Sequence, residues 1–541
     1  MISRITFVIL LFFGFSSLSQ TFSRADTLRG SLSEIRSCFD VAYYHLDIRL
    51  DTEKRFLSGS NEIRFTAVSA FDSLQIDLFE NMDIDSILFE GKILEFNREF
   101  TAVYIQMERT INSGERASFT VFYHGSPTIA KNAPWDGGFV WKKDFEGNPW
   151  IGVACEGDGA SLWWPNKDHL SDEPDSMRIS VTVPDSLMAV CNGNLISIDS
   201  LYKNLKYNWL VSYPINNYNV TINVADYVHF DDVHINENED SLRLDYYVLR
   251  GNSEKAKVQF MQVHETLKCF ESAFGPYPFF NDGYALVETP YLGMEHQSAI
   301  AYGNKFEKGY RGRFPAEMDF DYIIIHETGH EWWGNSVSAT DVADLWIHES
   351  FCTYSEAVFV ECKYGYDKML EYLAYQKDFI NNSSAIQGPL NVNKHGNATD
   401  MYYKGSWMIH TLRNVLGTDH IFKALLKELA LTFYHQTVNS EDVISFINSK
   451  VDDNLDGFFK QYLTVKELPV LEYRIKRKKF FYRWRAVEGF NMPVELSMGE
   501  LGRLRLNPTG EWASVEFKAK MLRTLRFRND LFLFEAEKVE E

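Results

Sequence analysis

A chain of 541 residues, 45% hydrophobic and 15% aromatic, has apolar material for about three packed domains, which excludes a disordered polymer. Its formal net charge of −21 argues against nucleic acid and anionic membranes as partners. Six cysteines are too few to build a fold on disulfides, and their spacing forms no zinc knuckle. Cys155 and Cys191 could pair in an oxidising compartment, while Cys352 reads as a buried core thiol.

Residues 1–19 have the layout of a signal peptide. Arg4 is the basic flank, Ile5 to Phe15 the apolar run, and Ser17-Leu18-Ser19 the small-residue cleavage site before Gln20. That run is too short to span a bilayer, no cysteine follows closely enough for a lipid anchor, and no later stretch is long and apolar enough to cross a membrane. The expectation is an exported chain, periplasmic or extracellular. An N-terminal β domain follows, assigned to residues 28–232. Tyr44, Leu46, Ile48 and Leu50 alternate with polar neighbours, as do Ile179, Val181 and Val183, and again Val220, Ile222 and Val224. This period of two, broken by turn residues, predicts sheets packed as a sandwich or saddle. The acidic stretch around 230–242 marks a boundary, drawn between residues 232 and 233.

Residues 233–466 read as a second, mainly helical domain. Ser253 is expected to cap a helix with Val258, Met261 and Leu267 on its apolar side, ended by Gly275-Pro276-Tyr277-Pro278. A strand from Tyr284 to Val287 leads into Gly293-Met294-Glu295-His296, and a late helix begins near Ser440. After Leu468-Pro469 the two-residue period returns, so residues 467–541 form a small β-sandwich. The basic run Lys476-Arg477-Lys478-Lys479 fits the edge and turn of a hairpin.

Within the helical stretch, His326-Glu327-x-x-His330 places two imidazoles four residues apart. On a helix they share a face and reach one ion, while Glu327 stands beside them without ligating it. Glu349 follows His330 by nineteen residues, in a segment whose Leu345, Phe351, Val358 and Phe359 predict a buried helix. A carboxylate there is costly unless it is paired or metal-bound. Two histidines and one glutamate leave a coordination position open. That is a catalytic arrangement for one Zn2+ per chain, whereas structural zinc closes with four protein ligands and favours cysteine.

With three further motifs, the chain resembles the aminopeptidase N family of zinc metallopeptidases, in a short form lacking the helical C-terminal domain of many members. Gly293-Met294-Glu295-His296 resembles the family's G-x-M-E-N exopeptidase motif, and Tyr402-Tyr403-Lys404-Gly405 resembles its Y-x-K-G segment. Cys155-Glu156, with Trp164-Pro165 and Asp172-Glu173-Pro174, resembles a loop that brings a second amine-binding acid from the N-terminal domain. The sequence departs from the family at Leu292, where glycine is usual, and at His296, in place of asparagine. His348 and Ser350 replace the asparagine and glycine that usually flank the third ligand. These departures bear on the shape of the substrate groove. The fold implied is multidomain α+β: an N-terminal β saddle or sandwich, a thermolysin-like, mainly helical catalytic domain, and a small C-terminal β-sandwich.

The resemblance implies a role for each residue. His326, His330 and Glu349 hold the zinc, and Glu327 is general base to the attacking zinc-bound water. Tyr402 donates a hydrogen bond to the carbonyl oxygen. Glu295 and Glu156 clamp the protonated α-amine, with Gly293 and Met294 lining the substrate site. The expected activity is that of a metalloaminopeptidase, hydrolysing the first peptide bond of peptides with a free N-terminus. One alternative is a zinc hydrolase on the same scaffold acting on an epoxide or a dipeptidyl unit. An inactive binding protein is the other, and the presence of all three ligands and the base speaks against it.

Overall fold

The structure, a computed structural model, describes residues 22–313, 318–499, 502–517 and 524–540. The expected signal peptide, residues 1–19, lies outside them. In the β body, β1 (Phe39–Asp51) buries Tyr44, Leu46, Ile48 and Leu50 and turns Arg49 to solvent. It pairs antiparallel with β2 (Phe56–Ala67) and parallel with β3 (Ser176–Pro184), Leu46 standing opposite Asn61 and Ile179. These strands lie within an eight-stranded sheet, and a four-stranded and a three-stranded sheet complete the body around one core. Burying each such side chain stabilises by about 1.5–3 kcal/mol, and a one-residue slip would expose the whole set, so the register is strongly set.

The acidic stretch around 230–242 is a hairpin. β4 (Tyr227–Ile235) pairs with β5 (Ser241–Leu249) along its whole length, so the division drawn between 232 and 233 falls inside a strand. Asp231, Glu237 and Glu239 are exposed on the edge strand and its turn, while β5 buries Leu242, Leu244, Tyr246 and Val248. An edge strand with a wet face carries charge as a linker does. β5 pairs parallel with β6 (Tyr284–Glu288), and β6 pairs parallel with β8 (Ile300–Tyr302). The short β7 (Gly293–Met294) closes the far edge against β8. Leu244, Tyr246, Leu286 and Ile300 face the helical core, whereas Tyr247, Val287 and Ala301 face the β body. This sheet is therefore the wall between the two bodies, and β7 carries Gly293-Met294-Glu295 to its edge.

The helix expected from Ser253 is broken into α1 (Ser253–Gln259) and α2 (Gln262–Phe274). Asn252 occupies the cap position, its side chain donating to Glu288. Val258 and Met261 are exposed, and the apolar face runs instead through Ala256, Phe260, Val263 and Leu267. Next come α3 (Tyr322–Gly329), α4 (Trp346–Tyr364) and α5 (Tyr403–Leu416), with α4 packed against both of the others. The late helix Ser440–Ser449 starts where expected, under a capping box from Asn439 and Asp442. At the C-terminus, β9 (Val470–Lys476) and β10 (Lys479–Arg485) form the hairpin expected at the basic run, Lys476 opposite Lys479. Leu471, Phe480 and Trp484 of this pair belong to the same core as the helices. No helix among the described residues is long and apolar enough to cross a membrane.

A disulfide joins Cys269 of α2 to Cys362 of α4, their Cα atoms 6.1 Å apart. Cys155 and Cys191, the pair considered from the sequence, are buried and free, as are Cys38 and Cys352. Denatured, unreduced protein is expected to show the four thiols of those free cysteines. A count of six before reduction, the full cysteine content, would remove the bond.

Candidate metal centre and substrate cavity

The start of α3 is fixed by Asp321, whose carboxylate accepts from the Ile323 N–H at 3.0 Å and from the side chains of Tyr302, Gln259 and Asn304. Ile323, Ile324 and Ile325 bury the helix, and its period sets His326 and His330 on one side. His326 Nδ1 lies 2.7 Å from Glu356 Oε1, and His330 Nδ1 lies 2.9 Å from the Trp333 carbonyl oxygen. Both partners are acceptors, so each ring carries its proton on Nδ1 and presents Nε2 as a lone pair. The two Nε2 atoms are 3.2 Å apart. Glu349 Oε2 stands 3.6 Å from each, buried and without a hydrogen-bond partner.

Three lone-pair donors this close repel one another unless a cation lies among them. Tetrahedral zinc, with bonds of about 2.0–2.1 Å, requires donors about 3.3–3.4 Å apart, and the observed separations bracket that value. The set fits zinc. Other donors come near: Cys352 beside the two histidines, and Glu295 with Glu327 beside His330, each group within 4.8 Å. Cys352 is the buried thiol expected, its Sγ–H donating to the His326 carbonyl at 2.8 Å. Burial pushes the Glu349 carboxyl up, but His330, His326 and the Tyr402 hydroxyl together hold it below the ordinary carboxylate range.

Glu356, which orients His326, was not anticipated. It is buried on α4, two turns after Glu349, and accepts from Tyr372 Oη at 2.5 Å and Gln376 Nε2 at 3.0 Å. The available signal was a glutamate seven residues after a ligand in an apolar helix, but its partner is set only by how α3 meets α4.

All the residues expected at the site line one cavity of about 610 Å³: the three ligands, Glu327, Tyr402, Glu295, Glu156, Gly293 and Met294. A Cβ on Gly293 would stand 2.5 Å from Glu327 Oε1 and 2.9 Å from Ile323 Cγ2, so glycine is what lets β7 run this close to α3. Burial pushes the Glu327 carboxyl up to about 8, against the pull of His326 and His330. Burial also raises Glu295 and Glu156; Glu295 adds to the rise at Glu156. Glu156 Oε1 is enclosed and unpartnered. The carboxylates of Glu156, Glu295, Glu327 and Glu349, gathered in one cavity, favour cationic occupants, a dication and a protonated amine among them. Tyr402 donates to Glu349 Oε1 at 2.8 Å. Asp26 and Arg29, from the short helix Arg24–Gly30, also line the cavity. No motif marks them, and residue 28, the expected start of the β domain, falls within that helix.

Residues 259–462 match the family model for the peptidase family M1 domain. That match covers the helical stretch with its metal-ligand motif, which is similar to the M1 peptidases. The chain is 24% identical over 330 residues to aminopeptidase M1 of Arabidopsis thaliana, covering 57% of this chain and 36% of that protein. It is 22% identical over 445 residues to leukotriene A-4 hydrolase of Xenopus laevis, covering 77% and 69%. The chain thus spans about a third of the first relative's length. In fold it is similar to an M1 zinc metallopeptidase variant from Deinococcus radiodurans bound to a Tyr-Ser-Ala substrate, with a TM-score of 0.65 and 18% identity over 80% of this chain and 95% of that one.

Of the departures from the motifs, Ser350 has a structural partner just before the neighbouring helix. Ser350 Oγ–H donates to the Met401 carbonyl at 2.7 Å, and a Cβ on Gly405 would stand 1.9 Å from that hydroxyl. The glycine of Y-x-K-G is therefore what brings α5 against α4. His296 lies outside the cavity lining, buried, and burial lowers its pKa to about 3. Leu292 lines the cavity where glycine is usual and narrows it beside Gly293.

Proposed function

We propose that this chain is a zinc-dependent aminopeptidase that hydrolyses the first peptide bond of peptides with a free N-terminal amine. The observation carrying this reading is the closeness of the amine clamp to the metal ligands: carboxylate oxygens of Glu295 and Glu327 and a ring nitrogen of His330 lie within 4.8 Å of one another. One more residue adds about 3.3–3.6 Å to an extended peptide. A dipeptidyl unit would carry its ammonium group past Glu295, whereas a single residue places its own carbonyl over the metal. An epoxide needs no ammonium clamp.

When bound, zinc supplies Lewis acidity, polarising a carbonyl and acidifying water. Glu327 accepts the proton of the attacking water and returns one to the leaving amine as the C–N bond breaks. Tyr402 donates its hydroxyl proton to the oxygen on which negative charge grows. Glu295 and Glu156 hold the α-ammonium, each charge-assisted hydrogen bond contributing about 1.5–3 kcal/mol. The names of the relatives, aminopeptidases among them, and the tripeptide substrate of the structural neighbour support this reading.

Glu295→Ala is expected to lower kcat/KM for free-amine peptides by about tenfold or more, and to change cleavage of N-acetylated peptides far less. Equal losses on both would show that Glu295 does not read the amine. We further propose an exported location, periplasmic or extracellular. The signal-like N-terminus and the Cys269–Cys362 bond support it, since such bonds persist in oxidising compartments.

A further inference from the structure

Glu295 is gripped from the β body. Its Oε1 accepts from Tyr218 Oη at 3.0 Å. Tyr218 is buried in a single 3-10 turn, Asn217–Asn219. The same hydroxyl faces His348 Nδ1 at 3.3 Å, and His348 Nε2 accepts from the Ala339 N–H at 2.7 Å. The direction of this chain follows from its ends. A backbone N–H can only donate, so His348 Nε2 is a lone pair and the ring proton sits on Nδ1. That proton is donated to the Tyr218 oxygen, leaving the Tyr218 proton for the Glu295 carboxylate. The neighbouring Asn219 grips the backbone: its Nδ2 donates to Asn335 Oδ1 at 2.7 Å, and Asn335 Nδ2 donates to the Glu295 carbonyl at 2.9 Å.

We propose that Tyr218 and His348 are positioning residues for the amine clamp, forming a hydrogen-bond relay that sets the Glu295 carboxylate at a fixed spacing from the third metal ligand. His348 precedes Glu349 on α4, so the helix that presents the metal ligand also presents the end of the relay. The relay rests on the amine-clamp reading above. It also accounts for one departure from the family motif. The two ring nitrogens of His348 bridge Tyr218 and the Ala339 N–H.

The experiment compares zinc-loaded parent, Tyr218→Phe, His348→Asn and His348→Leu. KM and kcat are measured on an aminoacyl anilide, and binding of leucinamide and N-acetyl-leucinamide is measured by calorimetry. Tyr218→Phe and His348→Leu are expected to raise KM and weaken leucinamide binding about tenfold, with kcat changed less and one zinc per chain kept. His348→Asn, which keeps an N–H toward Tyr218, is expected to recover most of the affinity. Unchanged leucinamide affinity in Tyr218→Phe would overturn the relay, as would a loss confined to kcat. If Tyr218→Phe fails to fold, equal affinity in the asparagine and leucine variants overturns it instead. A parent that binds acetylated and free amides alike would sink the amine clamp itself; a parent that discriminates, with variants that discriminate equally, would sink the relay alone.

Discussion

Glu327→Gln is expected to keep one zinc per chain and lower turnover by about 10²–10⁴-fold, the range general bases contribute. The substitution preserves shape and the capacity to hydrogen-bond while removing the ability to take a proton. Zinc should stay because the three donors that converge at 3.2–3.6 Å are His326, His330 and Glu349. Glu327 stands beside that set, packed against Gly293. Metal analysis and steady-state kinetics on the same preparation make the test decisive. Full activity in the glutamine variant would hand the base role to another group. Loss of the metal would mean that Glu327, not Glu349, completes the site.

Much of this site was legible because its geometry is local. The i, i+4 pairing of His326 and His330 follows from helix period alone. Glu349 betrayed itself as a charge in an apolar helix, and the alternation of Tyr44, Leu46, Ile48 and Leu50 showed a sheet with one buried face. What stayed hidden is set by approach between segments distant in sequence. Cys269 and Cys362 are separated by 93 residues and meet only because α2 lies along α4. Glu356 is an unremarkable helical glutamate until α3 puts His326 Nδ1 against it. His348 showed as a departure from a motif, but its partners come from the β body and from the backbone at Ala339. The acidic hairpin of β4 and β5 misled for a different reason: an edge strand's solvent face and a linker have the same composition.

Tyr402→Phe tests a residue that the structure gives two jobs. Its hydroxyl donates to Glu349 Oε1 at 2.8 Å, leaving Oε2 of the same carboxylate free for the metal. Orienting contacts of this kind typically change metal affinity by about 10–100-fold when removed. Its ring also lies beside His326, with 5.9 Å between centroids, at the wall of the cavity. From there the O–H can turn from Glu349 to a substrate oxygen as negative charge gathers on it. A lost oxyanion donor costs about 10²–10³-fold in kcat. The expected result is that larger loss in kcat, with KM little changed, measured at saturating zinc so that any weakening at Glu349 is masked. A chelator competition then reads the second job separately, and a modest drop in zinc affinity is expected there. A variant that regains full kcat once zinc is saturating would confine Tyr402 to holding the ligand, and the developing charge would need a different donor.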